Sequence, residues 1–376
     1  MTRVLGSGFR DETATRFSTT LKALTMVTNP KWDGGYTYFQ SQNVTPFPIR
    51  NDDIIPFLKA VTHSIDDIIE VCYWRGSHFN CSDIFRLQST ELGLCHSFNS
   101  YTSLQSSTDS KMNPPFRNER GELVGFRSIS EGRSSGIDLI LHPKQSVSSG
   151  NIIVRAAVNS PRMYPPVSHL RPLQHQPEGM YRMEVQVEVT KAHSSLGAMD
   201  RNWLPCSLSG SDTMENCLLS CRSRHIWQHC GCLLYTHALL FNNDKVTICG
   251  VEQFQCLSRL TISLNYVELR YNSANSTGLV CDCKPVCSET MYTTNTQLMP
   301  RETSLFTFPY SVHFDVFYFS KWAMGYVVRG KITQSDVIVG LGGTSGLYLG
   351  ASFISFIEVL VMVVKICFLK SLNHTI

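Results

Sequence analysis

The sequence contains few charged residues and no cluster of basic ones. Lysine, arginine, aspartate and glutamate together make up 17% of the 376 residues, and the formal net charge is +3. Nucleic-acid binding depends on a concentrated basic surface that faces the phosphates. The composition therefore gives no electrostatic basis for a nucleic-acid partner, and we predict none.

Signals of catalysis and of delivery to a membrane are also missing. No Gly-x-Ser-x-Gly elbow, phosphate-binding loop or His-Glu-x-x-His helix occurs, so we predict no enzyme. Residues 1–57 contain no apolar run of about 18 residues and no signal-peptide core. Either a later apolar segment acts as a signal-anchor, or the chain is a fragment or an aberrant product. We prefer the fragment.

Cysteine, in contrast, is abundant. Thirteen of the 14 cysteines lie between Cys72 and Cys287, a density typical of proteins that fold in an oxidising compartment. Three sequons agree with exposure to that compartment, and they predict glycans on Asn43, Asn80 and Asn275. We therefore expect a disulfide-rich extracellular domain.

The histidines among these cysteines raise zinc as a competing interpretation. His225, His229 and His237 are of a residue type that zinc sites use. The cysteine spacings do not match paired zinc knuckles, however, and the sequons favour oxidised sulfur. We predict no metal and no cofactor.

The C-terminal segment, residues 336–370, has the composition of a membrane crossing. Its second half is apolar apart from three polar residues, Ser355, Glu358 and Lys365. Its first half is rich in glycine, which weakens a helix by about 1 kcal/mol per residue but lets helices approach closely. We therefore expect this segment to lie in lipid and to contact other helices.

Helical spacing places several of these glycines on one face with a carboxylate. Gly342, Gly346 and Gly350 are four residues apart, and the same spacing leads to Glu358. As one helix the segment would be about 50 Å long, against a hydrocarbon core of about 30 Å, so we predict a break at residues 350–352. These residues alone leave two interpretations open, a glycine-packed anchor and a pore whose carbonyl groups face ions.

The residues around this break resemble those of a known channel family. Residues 340–352, followed by 353–360, are similar to the second transmembrane segment of the degenerin/epithelial sodium channel family, and most similar to its insect pickpocket branch. The resemblance implies a selectivity filter at Gly350, Ala351 and Ser352. It further implies pore-lining roles for Gly342, Gly346 and Glu358.

A second stretch resembles the passage from finger to palm in the same family. Cys72 and Cys81 enclose a loop that is short enough to close as a local disulfide. The family's next landmarks are found at residues 83–85, 90–93 and 95–99, with two departures inside the last one. Cys95 begins the last of these landmarks. In the family, the disulfide partner of that cysteine lies just after the first transmembrane segment, and we do not find this segment in the sequence.

Ten cysteines between residues 206 and 287 form the most specific motif. Cys217 and Cys221 are one helical turn apart and can each reach a facing strand, so a two-rung ladder is allowed, but spacing does not fix the pairing among ten. The family's thumb implies nested bonds. The implied pairs are Cys206 with Cys287, Cys217 with Cys283, Cys221 with Cys281, Cys230 with Cys256, and Cys232 with Cys249.

Hydrophobic periodicity predicts an α+β fold. We expect an amphipathic helix over residues 57–74, and strands of one antiparallel sheet system within 136–143, 151–166 and 180–192. A further strand within 310–320 would lead into the membrane segment. The resemblance implies antiparallel palm and β-ball sheets with a helical finger and thumb, on a C-terminal transmembrane helix.

These expectations divide the chain into four parts. Residues 1–55 are unmatched, 56–335 form the extracellular domain, 336–370 form the transmembrane pore segment and 371–376 are a cytosolic tail. The resemblance implies a subunit of a homo- or hetero-trimeric sodium channel in the cell membrane, gated by a ligand or by force. The alternative is a truncated, non-conducting, membrane-anchored ectodomain with a regulatory or binding role.

Overall fold

The computed structural model describes most of the chain, in two compact units. The larger unit comprises residues 1–191 and 205–326, and the smaller one 192–204 and 327–376. The described residues are 11–42, 44–102, 125–142, 153–174, 179–200, 204–208, 213–238, 246–269, 278–300, 311–332, 334–350 and 352–373.

The helices of the larger unit form two groups, one near the start of the chain and one in the cysteine-rich block. They are α1 (Asp11–Met26), α2 (Gly34–Gln42), α3 (Ile54–Val61), α4 (Cys81–Ile84), α5 (Met214–Cys230), α6 (Tyr235–Ala238) and α7 (Phe254–Asn265). Helix α5 has defined ends. The hydroxyl of Thr213 accepts a bond from the Asn216 amide at its start, and Gly231 ends it in the left-handed region at φ +66°.

The strands form one large sheet and three strand pairs. They are β1 (Ile69–Trp74), β2 (Ser77–Phe79), β3 (Phe85–Thr90), β4 (Gly93–Phe98), β5 (Ile137–Leu141), β6 (Ile153–Ala156), β7 (Arg171–Gln174), β8 (Gly179–Ala192), β9 (Val267–Leu269), β10 (Leu279–Cys281), β11 (Glu289–Pro300), β12 (Val312–Tyr318) and β13 (Met324–Val328). The seven-stranded sheet has the order β11-β8-β12-β5-β1-β2, and β13 also pairs with β8. The pairs are β3–β4, β6–β7 and β9–β10.

The large sheet is mixed, whereas the sequence predicted an antiparallel system. Strand β12 runs parallel to β8 and antiparallel to β5. The reason is topological. Strand β11 returns antiparallel to β8 on one side, and β12 reverses direction again before it enters on the other side of β8. Two directional reversals leave β8 and β12 pointing the same way.

The individual strand predictions are confirmed at β5, β8 and β12. The prediction within 151–166 is right only for the short strand β6, which pairs with β7 outside the large sheet. The helix predicted over 57–74 is wrong after Val61. Beyond that residue the β-branched and aromatic side chains of β1 pair with both β2 and β5, so strand pairing replaces the helix.

The segment before α3 belongs to the core. Phe17 and Leu24 of α1 and the following Trp32 are each 2% exposed or less. They belong to one hydrophobic cluster with Ile226 of α5 and Leu257 of α7. Helices α1 and α2 therefore pack against the cysteine-rich helices, although their residues lie in the part that we left without a structural prediction.

Six disulfides stabilise the larger unit, and they are the six pairs that we expected. The bonds are Cys72–Cys81, Cys206–Cys287, Cys217–Cys283, Cys221–Cys281, Cys230–Cys256 and Cys232–Cys249. The Cys217 and Cys221 bonds join successive turns of α5 to β10 and to the residues just after it. This pair of bonds is the two-rung ladder. Among the described cysteines, Cys95 is free.

The smaller unit contains a short 3₁₀ helix and two long helices. The 3₁₀ helix Ser194–Ala198 begins with His193, whose Nδ1 accepts a bond of 3.2 Å from the Ser195 amide. The long helices are α8 (Gln334–Leu349) and α9 (Phe353–Asn373). Within the part of the chain that the structure describes, no helix meets the combined length and apolarity expected of a bilayer span.

His237 is a buried histidine next to the ladder helix. Its Nδ1 lies 3.0 Å from the hydroxyl of Ser223 on α5, and its ring is 1% exposed. Burial, with a smaller contribution from the positive charge of Arg222, lowers the pKa of His237 to about 3. The side chain is therefore neutral in the folded protein at ordinary pH.

The ladder predicts that the contributions of its two disulfides to the free energy of unfolding are not additive. We expect Cys217→Ser with Cys283→Ser to lower the free energy of unfolding by about 2 kcal/mol, because Cys221–Cys281 still closes a loop of 60 residues. Removal of both rungs should cost about 6 kcal/mol, more than the two single costs together, because only the outer bond Cys206–Cys287, with its sequence separation of 81, then restrains the stretch between α5 and β10. Urea unfolding of each variant measures these costs, with non-reducing peptide mapping as the control for the remaining bonds. A double cost equal to the sum of the single costs would contradict the ladder.

His237 predicts acid sensitivity with a defined sign. The unfolded chain binds a proton at this residue near pH 6.5, whereas the folded chain binds it only near pH 3. Stability is therefore lost as pH falls below about 6.5, by about 1.4 kcal/mol per pH unit. From pH 7 to 5 we expect a loss of about 2 kcal/mol that His237→Gln does not show. The exposed Gln228 on α5, changed to Asn, is the matched control, because it carries no titratable group and should keep the wild-type slope.

Candidate functional site

The predicted break in the C-terminal segment is present. Helix α8 ends at Leu349, α9 begins at Phe353, and Gly350 between them has φ +61°. This left-handed conformation is open to glycine and strained for other residues. Ala351, the middle residue of the predicted filter, lies outside the described residues. The structure thus interrupts helical bonding at Gly350, whereas the carbonyl of Ser352 already accepts the first helical bond of α9, from the Phe356 amide at 3.3 Å.

Ser352 begins the second helix through a reciprocal pair of bonds with Ser355. The Ser355 amide donates to the Ser352 hydroxyl at 3.3 Å, and the Ser352 amide donates to the Ser355 hydroxyl at 3.4 Å. This is the arrangement of a capping box, which satisfies amides that have no partner within the helix. Sequence reasoning missed it. The signal was a serine three residues after another, directly before an apolar run.

The glycines of α8 have an open surface. A Cβ atom built on Gly340, Gly342 or Gly343 would meet nothing within 4 Å, and Gly346 is exposed. No described residue therefore requires glycine at Gly342. The close helix packing that we predicted at these glycines stays a prediction about a neighbouring helix.

Glu358 lies in the first two turns of α9 and is exposed. The sequence placed it on one helical face with Gly342 and Gly346. That expectation is wrong for a continuous face, because the left-handed residue Gly350 separates α8 from α9. The position of Glu358 is therefore set by α9, independently of the glycine face of α8.

The large apolar side chains of both helices are exposed wherever the structure describes them. Their exposed fractions run from 48% at Val337 to 82% at Leu347. Soluble proteins rarely expose a continuous apolar surface of this kind unless it contacts a partner or a membrane. The described apolar side chains of α8 and α9 are thus left outside the protein core.

In the larger unit, Glu91 joins four segments. It lies in the turn between β3 and β4 and is 5% exposed. Its carboxylate accepts bonds of 2.9 Å from the Asn29 side chain and from the Val167 amide, and lies 3.3 Å from Arg222 of α5. We noted this turn as a family landmark but gave Glu91 no role. No local pattern indicates contacts over 62 to 131 residues of sequence separation.

A second buried carboxylate lies on β12. Asp315 is 1% exposed, and its Oδ2 is 3.0 Å from Arg133 and 3.8 Å from Arg182. Burial raises the pKa of Asp315, and the two arginines oppose that rise. Arg182 lies on β8, so this ion pair links the neighbouring strands β8 and β12.

The remaining predicted site residues differ in what the structure shows. Asn80, directly before α4, is exposed, and exposure is what a glycan acceptor requires. Asn43 and Asn275 lie outside the described residues. No group of three or more metal-ligating side chains occurs in the described ranges. The rings of His225 and His229 are 4.2 Å apart, but His237 is buried against Ser223 instead of joining them.

Comparison with known proteins identifies the family. A sequence model described as amiloride-sensitive sodium channel matches residues 10–362. The chain belongs to the amiloride-sensitive sodium channel family. The resemblance to degenerin/epithelial sodium channels is thereby confirmed, and the match begins well before residue 56, where we had placed the start of the resemblance.

Three Drosophila proteins are similar to this chain over more than half of its length. Pickpocket protein 19 of Drosophila melanogaster is 23% identical over 343 residues, covering 85% of this chain and 63% of that protein. Pickpocket protein 11 of the same species is 22% identical over 333 residues, with 83% and 57% covered. Sodium channel protein Nach of Drosophila virilis is 22% identical over 221 residues, with 55% and 52% covered. The chain spans between half and two thirds of the length of these relatives.

The capping box at the helix break predicts local stability. We expect Ser352→Ala to speed amide hydrogen exchange in the first turn of α9 about fivefold, because loss of a cap costs about 1 kcal/mol. Ser352→Asn should leave the exchange rates nearly unchanged, since asparagine also caps helices. Thr344→Ala is the control. Its hydroxyl bonds the Gly340 carbonyl inside α8, so α9 should exchange as in the wild type. Equal rates in Ser352→Ala and wild type would contradict the capping box.

Proposed function

We propose that the chain is a subunit of a trimeric, sodium-permeable cation channel of the cell membrane. The cysteine-rich unit would be extracellular and the C-terminus cytosolic. Family membership supports the channel class. The observation that carries the pore assignment is the helix break, because a left-handed glycine and a capped second helix occur at the residues that resemble the family's filter.

The break suits a filter for a physical reason. Backbone outside a helix is tolerated at membrane depth only where it lines a water-filled cavity or is buried in protein. Carbonyl groups released from helical bonding can replace part of the hydration shell of an ion. In this proposal Gly350, Ala351 and Ser352 of three subunits surround the narrowest part of the pore.

The exposed surfaces of α8 and α9 support assembly in lipid. Lipid would cover part of the apolar surface that the chain leaves open. The uncovered glycines of α8, including Gly342 and Gly346, would let a neighbouring subunit approach closely. Glu358, exposed near the start of α9, would add a ring of three carboxylates that attracts cations.

The stimulus would act on the larger unit. Strand β12 is central in the seven-stranded sheet, and the chain runs from it through β13 towards α8. Movement of the sheet under force or on ligand binding would therefore be passed along a short covalent connection. Ligand and force remain alternative stimuli in this proposal.

The decisive experiment separates a filter role of Ser352 from its capping role. In the complete channel, Ser352→Asn keeps a capping side chain but adds bulk at the break. We expect it to move the reversal potential under sodium-for-potassium exchange towards that of an unselective cation pore. Ala351→Val should act in the same direction, because a larger side chain displaces the carbonyl groups. Whole-cell recordings with the two cations measure both effects.

Two variants serve as controls. Ser355→Ala removes one bond of the capping box without changing a filter residue, so the sodium preference should persist. Glu358→Gln should reduce the current without abolishing it, because only the attraction of cations is weakened. If Ser352→Asn and Ala351→Val both leave the sodium preference unchanged, the filter assignment is wrong.

A further inference from the structure

Two histidines lie side by side near the end of α5. The ring centroids of His225 and His229 are 4.2 Å apart, and the two residues are one helical turn apart. His229 is exposed and His225 is partly exposed, so an ion can reach them from solvent. Side chains four residues apart meet on one face of a helix, and zinc proteins use this spacing to hold one cation between two imidazoles. The pair therefore has the spacing of a metal site with two protein ligands.

The hydrogen bond of His229 determines which of its ring nitrogens carries the proton. Its Nδ1 lies 2.9 Å from the backbone carbonyl oxygen of His225. A carbonyl oxygen only accepts hydrogen bonds, so Nδ1 of the neutral ring carries the hydrogen and donates it. Nε2 then keeps its lone pair, and it has no hydrogen-bond partner among the described residues. His229 thus offers one nitrogen to a metal ion.

A similar argument assigns the proton of His225. Its Nε2 lies 3.2 Å from the hydroxyl oxygen of Ser263 on α7. That hydroxyl donates its single hydrogen to the carbonyl of Leu260 at 2.9 Å, so it can only accept from His225. The lone pair of the neutral ring is therefore on Nδ1, which has no partner in the part of the chain that the structure describes.

The surroundings of the two rings suit a bound cation. Metal-binding histidines usually donate their second ring nitrogen to a fixed acceptor, which orients the ring, and both rings do so here. Burial, with a smaller contribution from His229, lowers the pKa of His225 and so favours the neutral ring that a ligand must have. The carboxyl end of α5, at Cys230, carries a partial negative charge that attracts a cation.

We propose that His225 and His229 bind one divalent transition-metal cation of the kind that prefers imidazole, such as Zn²⁺. The protein ligands are Nδ1 of His225 and Nε2 of His229, and water fills the remaining positions. The site uses no thiolate, because the neighbouring Cys221 and Cys230 are both in disulfides. It revises our prediction of no metal, which rested on the cysteine spacings. Both histidines and Ser263 belong to the larger unit, so the site does not depend on the pore assignment.

Titration of zinc chloride into the purified full chain, made without a histidine tag, tests the proposal. We expect isothermal titration calorimetry to show one ion bound per chain. His225→Gln and His229→Gln should each weaken binding by about tenfold or more, because the second imidazole binds in an intramolecular step. His78→Gln removes an exposed histidine on β2 and should keep the wild-type affinity. Absence of binding, or wild-type affinity in His225→Gln or His229→Gln, would overturn the proposal.

Two further measurements test the ligand geometry and the place of binding. Ser263→Ala removes the acceptor that orients His225 and should weaken Zn²⁺ binding about tenfold, whereas Ser263→Thr keeps a hydroxyl and should bind nearly as the wild type does. Zn²⁺ should also slow amide hydrogen exchange in the last two turns of α5, and His229→Gln should abolish this protection. Peptide mapping of the six disulfides checks that each variant folds. Wild-type affinity in folded Ser263→Ala, or protection only outside α5, would contradict the site.

Discussion

Two sulfur bridges one helical turn apart fix α5 against β10, and much of the larger unit is arranged around that helix. The side of α5 that carries Ile226 packs into the core with α1 and α7. Arg222, on the same helix, reaches the carboxylate of Glu91 and the carbonyl of Leu264 at the end of α7. The hydrophobic face of α5 is weak, so apolar packing alone would hold this helix in place poorly. The two disulfides therefore supply stability that a larger hydrophobic core supplies in other proteins.

Glu91 shows why a buried carboxylate can be kept in such a core. Its burial is compensated by three donors from separate parts of the chain, namely the Asn29 side chain, the Val167 amide and Arg222. Each donor comes from a different segment, so the charge specifies how those segments meet. Removing one donor would leave the others holding a less compensated charge, which makes the arrangement cooperative.

Local signals in the sequence were enough for part of this structure. The helix break followed from segment length and glycine content, and the sulfur pairing followed from the family resemblance to a motif with ten cysteines. The helix predicted past Val61 failed because pairing of β1 with β5, a partner far along the chain, outweighed the local period. The contacts of Glu91 and Asp315 could not be predicted, since they join residues that only the tertiary fold brings together. The spacing of Phe17 and Leu24, seven residues apart, is the helical pattern that could have indicated the buried face of α1. The polar residues between them weakened that pattern.

The three residues between α8 and α9 also bring two helix macrodipoles end to end. The carboxyl end of α8, with its partial negative charge, points at the break, and the amino end of α9, with its partial positive charge, begins just after it. A cation at the break is attracted by the first and repelled by the second. The hydroxyls of Ser352 and Ser355 accept bonds from the Ser355 and Ser352 amides, so they cover the repelling end. In the proposed pore, the helix ends and these two hydroxyls would together favour a positive ion at the break before any charged side chain is counted.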